Sequence, residues 1–203
     1  MTGRQKIALI APLILMAVMY PIFQLWNLVF EDNWRIAWYG GLATYWLLWG
    51  AIVPWWILGK ESILRIIRPQ KLTLRIFLLV LFPLLMTFLY KNTAGMEYDK
   101  PDVLIFLLVV SSAFGNGFFE EVFWRGVYME LFPDNLLFRM VWPSIWFSLW
   151  HYIPGSLSPS GNVAGLMIGA AIMGFYWSFL AKQTGTIWWG ILAHVIGGFI
   201  VIA

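Results

Sequence analysis

Cysteine is absent from this chain of 203 residues, and charged residues make up only 11% of it. The lack of cysteine excludes a disulfide framework, a cysteine-ligated zinc site and a cysteine nucleophile. Hydrophobic residues make up 61% of the sequence, whereas a soluble domain has about 45–50% apolar and about 25% charged residues. A chain of this size cannot hide so much apolar surface from water, so the composition predicts an integral membrane protein.

Long polar linkers and internal repeats are also missing. A spanning helix needs about 17–25 residues, and seven apolar segments of roughly this kind can be drawn, the fifth short and the fourth long. They are Ile7–Phe30, Ile36–Leu58, Leu72–Tyr90, Val103–Phe132, Met140–Ile153, Val163–Ala181 and Thr186–Ile202. The first exceeds the about 7–15 apolar residues of a signal peptide, so it is interpreted as a retained helix. The predicted fold is all-α, one polytopic transmembrane bundle over residues 1–203 with about seven membrane helices.

Lysine and arginine are distributed unevenly over the two predicted sides of this bundle. With the N-terminus inside, nine basic residues lie on the inner side and three on the outer side, which the positive-inside rule favours. The inner residues are Arg4, Lys6, Lys60, Arg65, Arg68, Lys71, Arg75, Arg139 and Lys182, and the outer ones are Arg35, Lys91 and Lys100. The sequence therefore predicts a multi-pass protein of the cell membrane with a cytoplasmic N-terminus and Glu97–Asp102 outside. Because the basic residues flank apolar segments, the net charge of +3 does not indicate nucleic-acid binding.

Five ionisable side chains lie away from the ends of the predicted membrane helices, where a charged residue costs about 2.5–3.5 kcal/mol and usually has a function. These residues are Glu120, Glu121, Arg125, His151 and His194. Residues four apart on an α-helix share a face, so Glu121 is predicted to pair with Arg125. Glu120 is turned about 100° from Glu121 and is left as the free carboxylate, suited to general-base work. A structural Glu–Arg lock and interhelical histidine hydrogen bonds are the simpler interpretations.

The two histidines and Glu120 are predicted to lie at a similar depth. Counted inward from the cytoplasmic helix ends, Glu120, His151 and His194 lie roughly 18, 17 and 12 Å deep. Ionisable side chains are energetically costly in contact with lipid, and these three lie on three helices at a similar depth in the membrane. They therefore favour a shared polar site that opens to the cytoplasm or laterally between helices.

These residues resemble a known family. Residues 120–125 fit the pattern E-E-x-x-x-R, residues 147–151 fit F-x-x-x-H, and His194 lies on the last helix. The pattern resembles the CPBP family of intramembrane proteases, which is the CAAX prenyl endopeptidase and bacteriocin-processing group also called Abi. The resemblance covers about residues 103–203, the last four predicted helices, and implies a four-helix catalytic core.

The resemblance implies a glutamate-dependent intramembrane endopeptidase that acts on a peptide or membrane-protein substrate, which need not be prenylated. Glu120 and His151 would activate a water, His194 would stabilise the oxyanion, and Glu121 with Arg125 would support the site. The family usually has Asn or Asp four residues after the last histidine, where this chain has Gly198. If a donor is missing there, we expect Gly198→Asn to leave the fold intact and to raise turnover.

Three alternatives remain open at this point. No cofactor is expected from a carboxylate base, but Glu120, His151 and His194 could instead hold a catalytic zinc ion, although H-E-x-x-H is absent. A catalytically weak scaffold or regulator of another membrane protein would explain Gly198. A proton-linked transporter could use the same ionisable residues as a relay, although the sequence lacks paired broken helices in two repeated halves.

Overall fold

The helical bundle is seen in a computed structural model that describes residues 1–31, 33–93, 103–157 and 162–202. The regular structure of these residues is entirely helical, without a β-strand, so the all-α polytopic prediction is confirmed. The predicted outer segment Glu97–Asp102 lies outside the described residues. The helices are α1 (Gly3–Val29), α2 (34–58), α3 (Lys60–Ile66), α4 (Leu74–Thr93), α5 (103–131), α6 (137–150), α7 (Tyr152–Ser156), α8 (Val163–Thr184) and α9 (Trp188–Ile202).

Four helices are long and apolar enough to cross a membrane, namely Gly3–Val29, Trp34–Leu58, Phe106–Leu131 and Val163–Thr184. Shorter apolar helical stretches run from Leu74 to Leu89 and from Trp188 to Ile200. The chain is an integral membrane protein. The short fifth predicted segment corresponds to α6, which ends at Trp150, three residues before the predicted end.

Several polar contacts gather at one end of the bundle. The Gln5 side chain donates to the carbonyl of Leu131 at 2.7 Å, which joins the start of α1 to the end of α5. Arg65 of α3 forms an ion pair with Glu130 of α5. These contacts bring the basic N-terminal residues and the basic α3 to the same end of the molecule, as the charge distribution predicts.

Helix α5 is not uniformly α-helical. Asn116–Val127 is π-helical, and such stretches with i→i+5 hydrogen bonds are rare and frequent at functional sites. Gly117 allows a close approach here, because a Cβ on it would lie 2.8 Å from the backbone nitrogen of Val195 in α9. The wider π-helical turn also reduces the angle between successive side chains, so the 100° separation expected for Glu120 and Glu121 does not apply.

The turn before α9 is held to the loop after α3. Helix α8 ends where Gly185 takes a left-handed backbone with φ of 68°, which favours glycine. Thr186 is fully buried, and its hydroxyl lies 2.7 Å from the carbonyl oxygen of Ile66 and 2.9 Å from that of Arg68. Since the backbone N–H of Ile187 also donates to Ile66, α9 begins at a position fixed by the α3 region.

The hydrogen bonds of Thr186 to the α3 region lead to the first prediction. Thr186→Val keeps the shape of the side chain but leaves buried carbonyl groups with fewer partners, which typically costs about 1–3 kcal/mol. We expect a lower thermal denaturation midpoint of the detergent-purified protein, measured by tryptophan fluorescence.

Thr87→Val is the matched control, because the Thr87 hydroxyl bonds to Pro83 within its own helix at 2.9 Å. A loss of stability as large for Thr87→Val as for Thr186→Val would contradict a special role for the hydrogen bonds between Thr186 and the α3 region.

Candidate active site

Three ionisable residues of α5 lie in the interior of the bundle. Glu120 and Arg125 are each 2% exposed, and Glu121 is fully buried. Charged groups in such positions require partners, because transfer from water without compensation is very costly.

Glu121 has two cationic or ionisable neighbours at one oxygen. Its Oε1 lies 3.4 Å from Nη1 of Arg125, so the predicted i, i+4 pair is confirmed. The same oxygen lies 3.1 Å from Nδ1 of His194 in α9. A paired carboxylate accepts hydrogen bonds, so Nδ1 of His194 is the donor in this contact. The contact between His194 and Glu121 was not predicted from the sequence.

Glu120 approaches the other nitrogen of the same imidazole. Its Oε2 lies 3.9 Å from Nε2 of His194, close enough for an ion pair with a protonated ring. His194 stacks on Trp177 of α8 with ring centroids 5.9 Å apart. The imidazole is thus held between two carboxylates and an aromatic face, and the π-helical turn explains why both glutamates reach it.

His151 owes its orientation to the end of α6. The helix stops at Trp150, and the backbone N–H of His151 bonds to Ser148 at 3.1 Å instead of to Phe147. Pro154, which lacks an N–H, lies four residues after Trp150 and disfavours an unbroken α-helix there. The free carbonyl of Phe147 lies 2.7 Å from Nδ1 of His151. Because a carbonyl can only accept, Nδ1 carries the proton and Nε2 of a neutral ring is an acceptor.

Phe147 lies between His151 and the charges of α5. The Arg125 guanidinium carbon lies 4.2 Å from the centroid of the Phe147 ring, and the His151 ring packs edge-on to the same ring at 4.5 Å. Within the described residues, neither a hydrogen bond nor an ion pair joins His151 to Glu120 or His194. The structure therefore brings Glu120, Glu121, Arg125 and His194 into contact and places His151 beside this group, within electrostatic range of His194 and Arg125.

The side-chain nitrogen and oxygen atoms of the described site residues do not come together in the way that metal ligands do. Among the described residues there is no group of three or more histidine and acidic side chains arranged to hold a metal ion. Glu121 Oε1 is engaged by Arg125 and His194, and His151 Nδ1 is engaged by Phe147.

An apolar cavity of about 520 Å³ lies beside the buried charges, between α2, α5 and α9. Its walls include the sequence neighbours of two site residues, Phe119 next to Glu120 and Val195 next to His194. Phe114, which is 55% exposed, forms part of the rim, so the cavity reaches the lateral surface of the bundle. The predicted lateral opening has a counterpart here, although the cavity is lined by apolar groups and not by the ionisable residues.

Gly198 lies at a close contact between α9 and α5. A Cβ on it would come within 3.0 Å of Ala113 Cβ and 3.2 Å of Ala113 Cα. A Cβ here would require its neighbour to move by a few tenths of an ångström, and small residues commonly allow helices to pack this closely. The expectation that Gly198→Asn leaves the fold intact stays a prediction.

This contact generates the second prediction. Gly198→Ala overpacks the α5–α9 contact, a change that typically costs about 1–3 kcal/mol. We expect a lower thermal midpoint, and we expect Ala113→Gly to recover part of the loss in the double variant, as a double-mutant cycle would measure.

Gly169→Ala is the control, since a Cβ at this exposed position of α8 meets no atom within 4 Å. Unchanged stability of Gly198→Ala, or equal losses for Gly198→Ala and Gly169→Ala, would refute the close contact.

Comparisons with known proteins bear on the same region. Residues 102–200 match the family model described as "Rce1-like: Type II CAAX prenyl endopeptidase Rce1-like". No curated protein and no solved structure matches the chain. The matched residues contain all five ionisable residues of the site, and the match confirms the resemblance stated from the sequence patterns. Over this region, just under half of the chain, the protein is similar to the Rce1-like family of type II CAAX prenyl endopeptidases.

Proposed function

We propose that this protein is a glutamate-dependent intramembrane endopeptidase that hydrolyses a peptide bond with a water activated by Glu120 and His151. The observation that carries the proposal is the pairing of charges. One oxygen of Glu121 is paired with Arg125 and His194, whereas Glu120 lies 3.9 Å from the same histidine without an arginine partner within ion-pair distance in the described residues. A buried carboxylate that is not neutralised by an arginine is suited to accept a proton.

In the first step, Glu120 takes a proton from the water while the water oxygen attacks the carbonyl carbon of the scissile peptide bond. His151 assists as a second acceptor, because its Nδ1 is committed to Phe147 and its Nε2 lone pair is available. The carbonyl π bond opens, and the negative charge develops on the carbonyl oxygen.

His194 stabilises this oxyanion. A doubly protonated His194 donates to Glu121 through Nδ1, at 3.1 Å, and offers Nε2–H to the oxyanion. A preorganised donor of this kind is commonly worth about 10²–10³ in rate. Glu121 and Arg125 act by orienting the imidazole, as second partners of catalytic histidines generally do.

In the second step, the oxyanion collapses, the carbon–nitrogen bond breaks, and the leaving nitrogen takes the proton held by Glu120. The products are a carboxylic acid and an amine, and Glu120 is again ionised. The balance requires only the peptide and one water, so no oxidant, reductant or other co-reactant is consumed.

The substrate is a peptide or a membrane protein that reaches the site from the bilayer. The apolar cavity between α2, α5 and α9 supports a lateral route, because its walls adjoin Glu120 and His194 and its rim is exposed. The chemistry of the ionisable residues acts on the peptide bond and does not itself require a prenyl group.

A scaffold function is supported by one observation. Gly198 stands where the resemblance leads one to expect an amide or carboxyl side chain, and its packing against Ala113 leaves little room for such a group. A protein that retained the fold without turnover would act by binding another membrane protein. Peptide cleavage separates the two functions.

The third prediction tests the proposed base. Glu120→Gln preserves the size of the side chain but removes the proton acceptor, so we expect cleavage of a peptide library to fall by about 10²–10⁴-fold. Cleavage is measured by mass spectrometry with protein purified in detergent. Glu130→Gln is the matched control, because Glu130 lies at the end of α5 and pairs with Arg65 away from the site.

Equal activity of Glu120→Gln and wild type would remove Glu120 from the mechanism. Strong chelators distinguish the carboxylate mechanism from a zinc mechanism. We expect activity to survive them, and loss of activity with rescue by zinc would assign a metalloprotease. A wild-type protein that binds peptides without cleaving them would support the scaffold instead.

The protein lies in the cell membrane with its N-terminus and the basic end of the bundle in the cytoplasm. The nine-to-three distribution of basic residues supports this orientation. The contacts of Gln5 with Leu131 and of Arg65 with Glu130 support it further, since they hold the basic segments together at one end.

The fourth prediction tests this orientation. The chain has no cysteine, so single substitutions can be labelled without background. An impermeant thiol reagent added to intact cells should label Arg35→Cys, whereas Arg68→Cys should react only after permeabilisation. Both positions are exposed. Labelling of the two from the same side, or in the reverse order, would overturn the topology.

A further inference from the structure

One fully buried hydroxyl beside the site comes from outside the part of the chain that matches the family model. Tyr45 belongs to α2, whereas the match covers residues 102–200. The Tyr45 side chain is completely buried, and its hydroxyl lies within electrostatic range of the Glu120 side chain. Among the described residues, the only side-chain hydrogen bond already made by this hydroxyl is the one from Trp124. A buried tyrosine hydroxyl normally has a hydrogen-bond partner, so the direction of its proton must be accounted for.

The contacts of Tyr45 determine where that proton points. Trp124 Nε1 lies 2.8 Å from the Tyr45 oxygen, and an indole nitrogen can only donate, so the tyrosine oxygen is the acceptor in this bond. The phenolic proton remains available for a second bond. Of the two charged groups that interact with this hydroxyl, Arg125 can only donate and Glu120 can accept. Glu120 is the acceptor that the arrangement provides.

The ring of Tyr45 is held in place by its own packing. It stacks on Trp150 with centroids 4.1 Å apart and planes inclined by 24°. Trp150 is itself fully buried, and its Nε1 lies near Glu120 without completing a hydrogen bond in the described part of the chain. The position of the hydroxyl oxygen is therefore fixed, because the ring that carries it is held by its stacking partner Trp150 and by the hydrogen bond from Trp124.

We infer that Tyr45 is a positioning residue of this site, whose hydroxyl donates a hydrogen bond to the ionised Glu120 carboxylate and holds it toward the reacting water. The inference about catalysis rests on the proposed function, but the hydrogen bond itself does not. A donor bonded to the charged form of a carboxylate stabilises that form relative to the protonated acid. The Tyr45 hydroxyl would thus keep Glu120 ionised and hold its carboxylate in the orientation that faces the reacting water.

A hydrophobic carbodiimide provides a test that needs no enzymatic activity. It reacts with protonated carboxyl groups in apolar surroundings, and the product at Glu120 is distinguished from that at Glu121 by fragmentation of the labelled peptide. At alkaline pH, where labelling of the wild-type carboxylate is slow, we expect Tyr45→Phe to be labelled at Glu120 about tenfold faster. This is the effect of losing one hydrogen bond of about 1.4 kcal/mol to the charged form.

Tyr128→Phe is the matched control. Tyr128 is also a fully buried tyrosine, and its hydroxyl donates to the carbonyl of Ala8 at 2.7 Å and not to a site residue. Faster labelling in Tyr45→Phe with unchanged labelling in Tyr128→Phe is the expected result. Equal increases in both variants would indicate loosened packing and overturn the inference, as would an unchanged rate in Tyr45→Phe.

Peptide cleavage then tests the role in catalysis. If the protein cleaves peptides, Tyr45→Phe should lower kcat with little change in KM, because the substrate contacts are retained, whereas Tyr128→Phe should retain both. A lower kcat without a change in carbodiimide labelling would contradict the inference. Changed labelling in a protein that cleaves no peptide would refute the proposed function while leaving the Tyr45–Glu120 bond established.

Discussion

The arrangement of this bundle depends on the need to satisfy one carboxylate inside a membrane. Glu121 is fully buried, and a single oxygen of it contacts Arg125 at 3.4 Å and His194 at 3.1 Å. Removing one partner of a buried ion pair commonly costs about 3–5 kcal/mol, because the remaining charge is left without compensation. Helices α5 and α9 are therefore constrained to one register. The same close approach requires a small residue at position 190 of α9, since a Cβ on Gly190 would lie 3.1 Å from Glu121 Oε2.

This constraint gives two adjacent glutamates different chemistry. Glu121 is neutralised by Arg125 on its own helix and orients His194 on another. Glu120 lies 3.9 Å from the far nitrogen of the same imidazole and within electrostatic range of the Tyr45 hydroxyl from α2. Both glutamates lie in the π-helical stretch Asn116–Val127, where successive side chains are separated by a smaller angle than in an α-helix. One carboxylate is thus paired with an arginine, and the other is the base of the proposed mechanism, although their sequence positions differ by one.

The sequence predicts the features that follow from local geometry. The spacing of Glu121 and Arg125 predicts their pair, and the cost of charge in lipid predicts that His194 turns inward. The sequence does not predict the contact between His194 and Glu121, because that contact depends on how closely α9 approaches α5. The close packing of Gly198 against Ala113 is likewise not predictable from the sequence, because it too depends on the approach of α9 to α5. Tyr45 carries no motif, and only the general rule that a buried hydroxyl needs a partner could have drawn attention to it.

The N-terminal helices contribute to the site although the family match begins at residue 102. Tyr45 supplies a hydroxyl, and its ring packs on Trp150, which directly precedes His151. The end of α6 at Trp150 frees the Phe147 carbonyl and so fixes which nitrogen of His151 carries the proton. The stacked pair of Tyr45 and Trp150 thus lies beside both groups that would bind the water. Tyr45 carries the hydroxyl that we infer to bond to Glu120, and Trp150 directly precedes His151 in the chain. Residues 102–200 contain the acids and bases, but the orientation of Glu120 also depends on a helix that lies before them.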